Sequence, residues 1–176
     1  MANVLIVVPH DRVSDDEFKA VHSELEGEVH NIQIGSSHHT EARGHFGMVI
    51  KPNVNISFVE PKDYDAVIFI GGRGVEEYFM ESSVHNLIRN MYHERKLLAA
   101  IGLAVELLVF AGVISNRKVT CSPDVISKVQ SAGAYYTGRP VEIDGDIITS
   151  IDARTKDDFA RAISKAINYI NPRKGL

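Results

Sequence analysis

Three short apolar runs constrain this chain more than any other feature. Val4-Leu5-Ile6-Val7-Val8, Ala66-Val67-Ile68-Phe69-Ile70 and Leu97-Leu98-Ala99-Ala100-Ile101 are apolar at every position. A strand with one wet face alternates polar and apolar residues; a strand without alternation is buried on both faces, as in a helix-covered parallel sheet. Helical patterns at 14–24, 82–94, 103–111 and 155–170 separate or follow these runs. The order predicts an α/β fold, a three-layer α/β/α sandwich with a mainly parallel, flavodoxin-like sheet.

The remaining segments fill in the plan. Ser14 is placed to cap the first helix, and Asp15, Asp16 and Glu17 put negative charge in its first turn, as the helix dipole prefers. Val29 to Ile34 reads as a second strand. Residues 36–58 lack a helical period, and their alternating stretches Met48-Val49-Ile50 and Val54-Asn55-Ile56 suggest a hairpin excursion off the sheet. Lys118-Val119-Thr120 is a short strand, Pro123 opens another helix, and 135–150 reads as two strands around the Asp144-Gly145-Asp146 turn. Asn171-Pro172 stops the closing helix.

Composition narrows the function classes. The 176 residues suit a single domain spanning 1–176 with a sizeable core. A net charge of −4 argues against a nucleic-acid or anionic-membrane role, which favours a basic face. No apolar stretch approaches the roughly 20 residues that cross a bilayer. Cys121 is the only cysteine, which rules out an intrachain disulfide and suits a reducing, cytoplasmic setting.

Chemistry points to the 97–111 segment. A strand, a sharp corner at Gly102 and a helix closed by Gly112 have the layout of a nucleophile elbow, whose corner residue is held in a strained backbone. Glycine adopts that geometry freely but has no reactive atom. Sites in such sheets lie outside the carboxyl ends of the strands. That rule gathers Pro9-His10-Asp11, Gly71-Gly72-Arg73 and Gly102-Leu103 in one crevice.

Taken together, these segments resemble the PfpI/ThiJ family, a branch of the class I glutamine-amidotransferase-like fold that includes intracellular proteases, glyoxalases, deglycases and stress chaperones. The resemblance covers nearly the whole chain. It runs through Gly44-His45-Phe46-Gly47, Val59-Glu60-Pro61-Lys62-Asp63-Tyr64-Asp65, Ile70-Gly71-Gly72-Arg73 (Ile70 replacing the family's proline), the run from Ala111 to Thr120, and Val141-Glu142-Ile143-Asp144-Gly145-Asp146. Catalytic members carry a Cys-His pair at the elbow, a glutamate in the first helix and sometimes a glutamate after the Gly-Gly loop. Here Gly102 and Leu103 stand where that pair would be, and Ala104 and Val105 replace the usual glycine and proline. Glu17 and Glu76 match the two glutamates, and the backbone N–H groups of Gly72 and Leu103 remain as a potential anion cradle.

The resemblance therefore implies a degenerate, non-catalytic member: a small-ligand-binding, regulatory or stress-related homo-oligomer, a dimer or larger. No catalytic pair is intact. The ligand-site candidates are Glu17, Gly71, Gly72, Arg73, Glu76, Gly102, Leu103, Glu106 and Cys121. Glu106 either faces the crevice or sits on an exposed stripe, and Cys121 reads as a small buried strand residue rather than a second nucleophile. The alternative is a hydrolase or glyoxalase-like enzyme using Glu17, Glu76 or Glu106, or a metal at His10, in place of the thiol. His10, His38, His39, His45 and Asp11 have no recognised ligand spacing and read as surface loop residues; neither metal nor cofactor is expected. Gly71-Gly72-Arg73-Gly74 lacks the lysine and hydroxyl residue that end a P-loop. No aspartate stands at the end of the Ala66–Ile70 run, which excludes a response-regulator receiver.

Overall fold

The computed structural model describes residues 1–28 and 30–170; Val29, expected to open a strand, and Asn171-Pro172, expected to stop the last helix, lie outside them. Among the described residues, seven strands form one sheet: β1 (Asn3–Val7), β2 (Asn31–Ser36), β5 (Val54–Asn55), β6 (Ala66–Phe69), β7 (Leu97–Ile101), β10 (Val141–Asp144) and β11 (Ile147–Ser150). Their order is β10-β11-β7-β6-β1-β2-β5, and every neighbouring pair is parallel except β10 with β11. Registers such as Ile6↔Ile34 and Val67↔Leu98 set the three apolar runs side by side in the middle.

Alternate residues of those runs feed two cores. Val4, Ile6, Ile68, Ala99 and Ile101 pack under α1 (Asp15–Glu26) and α5 (Lys156–Ile170), against Phe18, Val21, Leu25, Phe159 and Ile163. Leu5, Val7, Val67, Phe69 and Leu98 face the other way. They meet α2 (Ser82–His93), α3 (Val105–Ala111) and α4 (Ile126–Ser131) through Val84, Ile88, Met91, Leu108 and Val129. These helices bury apolar residues at three- and four-residue spacing, so amphipathicity rather than propensity holds them. Phe159 is wholly buried; truncation to alanine there costs about 3–5 kcal/mol.

Three local expectations change. Ser14 occupies the N-cap position of α1 with extended backbone, but its side chain makes no cap hydrogen bond. The hairpin pairs β3 (Ala42–Arg43) with β4 (Val49–Ile50), whereas Val54-Asn55 joins the sheet edge beside β2. Its apolar alternation reads equally well as an edge strand, so pattern alone could not choose its partner. The 135–150 segment contains three strands rather than two. β9 (Tyr135–Tyr136) pairs in parallel with β8 (Lys118–Val119), and only β10 and β11 form the hairpin.

The sheet order positions the site. From β1 the chain moves outward to β2 on one side, then returns to lay β6 and β7 on the other. The carboxyl ends of β1, β6 and β7 thus meet at one end of the sheet, beside the point where the strand order reverses, and the cleft opens there.

Candidate functional site

Glu17 lies in the first turn of α1 and is 4% exposed. Its Oε2 accepts the Gly71 N–H at 2.8 Å, which ties the helix to the end of β6. Burial pushes its carboxyl from the ordinary 4.5 up to about 8; the Gly71 N–H opposes that rise, and the negative charge of Asp152 adds to it. At neutral pH the group is therefore an uncharged acid with a proton to donate.

Gly102 follows β7 and opens a short 3-10 turn, Gly102–Ala104, ahead of α3. Its φ of +64° is the left-handed corner of an elbow. A Cβ placed on Gly102 would lie 3.0 Å from Glu17 Oε1. The carboxyl thus faces the space that a corner side chain would occupy.

That space opens into a cleft of about 570 Å³. Gly72, Arg73, Gly102 and Leu103 line it as the sequence predicts, together with Glu17. Gly71 contributes its N–H to Glu17 beneath. Sequence reasoning missed Arg12, His45, Phe46, Asp152 and Arg154, which also line the cleft. Phe46 was visible only as part of a resemblance, His45 was read as a surface loop residue, and Asp152 and Arg154 carry no motif.

Each added residue has a local cause. Asp15 is buried and accepts the N–H groups of Phe46 and Met48 at 2.9 and 3.0 Å, gripping the β3–β4 loop. That grip holds Phe46 at the rim with 84% of its surface in water, its ring meeting His45 edge-on at 4.8 Å between centroids. Arg154 clasps Asp152 with Nε–Oδ1 at 3.0 Å and Nη2–Oδ2 at 2.8 Å, which keeps the Asp152 carboxyl below the usual carboxylate range.

The other candidates separate from the cleft. Glu76 is exposed on the 3-10 turn Arg73–Tyr78 and does not line it; the neighbouring Glu77 instead accepts the His10 N–H at 3.0 Å and the Ser37 hydroxyl at 2.8 Å. Glu106 is neither a cleft residue nor an exposed one. Its side chain, 7% exposed, bonds Lys128 Nζ at 2.5 Å across α3 and α4. Cys121 is fully buried in the core beneath α3, and burial pushes its thiol up to about 12, where almost no thiolate exists at neutral pH.

Pro9-His10-Asp11 also stays outside the cleft, because the 9–11 segment packs behind Gly74. The His10 ring lies 4.2 Å from that of His38 instead. Among the described residues no three histidine, cysteine or carboxylate side chains converge as metal ligands. A larger groove of about 1110 Å³ follows α5 past Leu97 and Gly145, at the amino ends of the strands. Its volume exceeds that of the cleft, but it lies at the wrong end of a parallel sheet for a site of this kind.

The class of the molecule follows: an α/β sandwich with an elbow and a first-helix carboxyl turned towards it. The chain belongs to the DJ-1/PfpI family, whose model matches residues 2–166. An uncharacterized protein of Methanocaldococcus jannaschii is 30% identical over 173 residues, 97% of this chain and 84% of its own length. A deglycase of Pyrococcus horikoshii is 29% identical over 126 residues, 72% of this chain and 76% of that one. Among solved structures, a ThiJ/PfpI domain protein from Brachyspira murdochii superposes with a TM-score of 0.91 at 24% identity, covering 95% of this chain and 96% of that one. No helix among the described residues is long and apolar enough to cross a membrane.

Proposed function

We propose that this chain is a non-catalytic member of its family that binds a small molecule over Gly102 in a regulatory or stress-related role. The single observation carrying this reading is the corner itself. It keeps the left-handed geometry and the facing carboxyl of an elbow, but a hydrogen atom stands where a nucleophile would project. Covalent attack on a carbonyl needs an activated side-chain atom at that position. Leu103 can neither take nor give a proton, and Cys121 is buried as the neutral thiol. What remains is recognition: a proton-bearing Glu17, backbone amides and three arginines around a ready-made cleft. Self-association into a dimer or larger assembly belongs to the same reading and is checked by sedimentation.

The test compares the unmodified protein with a Gly102→Cys, Leu103→His double variant in 2-oxoaldehyde, deglycation and peptidase assays. The unmodified protein should stay at background and the double variant should gain thiol-dependent turnover. A second reading, acid/base catalysis by Glu17, has its own support, because a carboxyl near 8 exchanges its proton at physiological pH. Turnover by the unmodified protein that Glu17→Gln abolishes and chelators leave alone would establish that second reading and defeat the first.

A further inference from the structure

We propose that the cleft over Gly102 receives a small aromatic carboxylate, its anionic end held by the Arg12 guanidinium and the Glu17 carboxyl and its ring laid on Phe46. This inference rests on the reading that the elbow binds without bond-making. It begins from the charges that line the cleft. Asp15 is saturated by the Phe46 and Met48 amides, and Asp152 is clasped by Arg154. Asp16 is exposed and shared with an adjoining groove lined by Lys19 and Lys156. Arg73 reaches Asp124, outside the cleft, at 3.4 Å. Arg12 is left over, its guanidinium without an ion pair among the described residues. Its backbone has a φ of +51°, sparsely populated by residues with side chains and a recurrent mark of functional positions. An unpaired guanidinium on a residue lining a cleft whose Asp15 and Asp152 are already engaged is available to an anion, and its planar fork matches a carboxylate.

Glu17 supplies the second, independent observation. It is deeply buried, and Oε1 points at the vacant corner. As an uncharged acid it can donate to an incoming carboxylate; once ionised it would repel one. The groups acting on it come from each surrounding element: Ser14 and Asp16 at the start of its own helix, the Gly71 N–H from the β6 loop and Asp152 from the 152–155 turn, while Arg12, Arg73, Arg154, Asp15 and His45 line the same cleft. The elbow contributes no titratable group. Phe46 supplies the third observation. An aromatic ring whose loop is fixed by two amide bonds, yet which stands almost wholly in water, is a prepared stacking surface, and Leu103 and Ala153 add apolar side chains to the same cleft.

Benzoate is the probe, titrated by calorimetry from pH 6 to 9.5 beside benzamide and acetate, with 2-oxoaldehyde turnover measured on the same samples. Benzoate should bind at least about tenfold more tightly than benzamide, because only it offers a charged acceptor. Its affinity should hold up to about pH 8 and then fall about tenfold per pH unit as Glu17 ionises. Arg12→Gln should weaken benzoate about tenfold or more, and Phe46→Ala should erase its advantage over acetate. Glu17→Gln should retain binding through its amide N–H while flattening the pH profile, a change that a purely structural role would not produce. Benzamide binding as tightly as benzoate, an indifferent Arg12→Gln, or an unchanged pH profile in Glu17→Gln overturns the proposal. Failure of all three probes without turnover removes the carboxylate assignment alone, whereas turnover by the unmodified protein removes the non-covalent reading beneath it.

Discussion

Glu17 and Glu106 are both buried carboxyl groups near one strand end, and the fold neutralises them by opposite means. Glu106 meets a cation, because α4 brings Lys128 Nζ to 2.5 Å, and half of that lysine side chain remains in water. Glu17 accepts an amide N–H and has no ion pair among the described residues, so burial favours its protonated form instead. A paired carboxylate is inert structure, whereas an unpaired acid beside an open cleft is a donor that titrates. Burial alone does not mark a functional acid; the means of neutralisation does.

The largest expected effect comes from removing that proton-holding acid. Glu17 has a folded-state pKa raised above its unfolded value, so folding takes up a proton and stability falls as pH rises from about 4.5 to about 8. Glu17→Gln should abolish this slope and gain about 3 kcal/mol at pH 7, since the slope is about 1.4 kcal/mol for each pH unit climbed above the unfolded value. Chemical denaturation across pH reads it. A flat profile in the unmodified protein would erase the contrast between the two acids. Next, Lys128→Met should cost about 2 kcal/mol by stranding Glu106, with the half-exposed lysine keeping the loss below that of a fully buried pair. Adding Glu106→Gln should recover most of it, and a double-mutant cycle measures the coupling.

A smaller effect tests the corner. Gly102→Ala places a methyl group in left-handed backbone, 3.0 Å from Glu17 Oε1, and should cost about 1–2 kcal/mol by thermal denaturation. Smallest is Arg154→Ala. It leaves Asp152 unpaired beside Glu17, so the midpoint of the Glu17 slope should move slightly upward with little change in stability at pH 5.

Much of the architecture was legible because burial on two faces writes itself into consecutive residues. Val4–Val8, Ala66–Ile70 and Leu97–Ile101 occupy adjacent central strands. Edge strands of two residues leave almost no pattern, which is why Val54-Asn55 and Tyr135-Tyr136 found their partners only in three dimensions. Glu17 was legible through a motif, because a helix first turn fixes where its side chain can reach. Arg12, Phe46 and Arg154 were not, because loops and a hairpin carry them to the cleft and no periodicity encodes that approach. Glu76 and Glu77 differ by one position on a 3-10 turn, too fine a distinction for sequence spacing.

The meeting of the 10–14 loop with the 71–74 loop carries a further consequence. The Ser14 N–H donates to the Gly71 carbonyl at 2.9 Å, and any side chain at Gly74 would overlap the Asp11 carbonyl. With no slack between them, the two walls can shift only as one block. Most of the entropic penalty for shaping the cavity was therefore met when the chain folded, so a guest should dock at a rate set by diffusion rather than by a slow opening step.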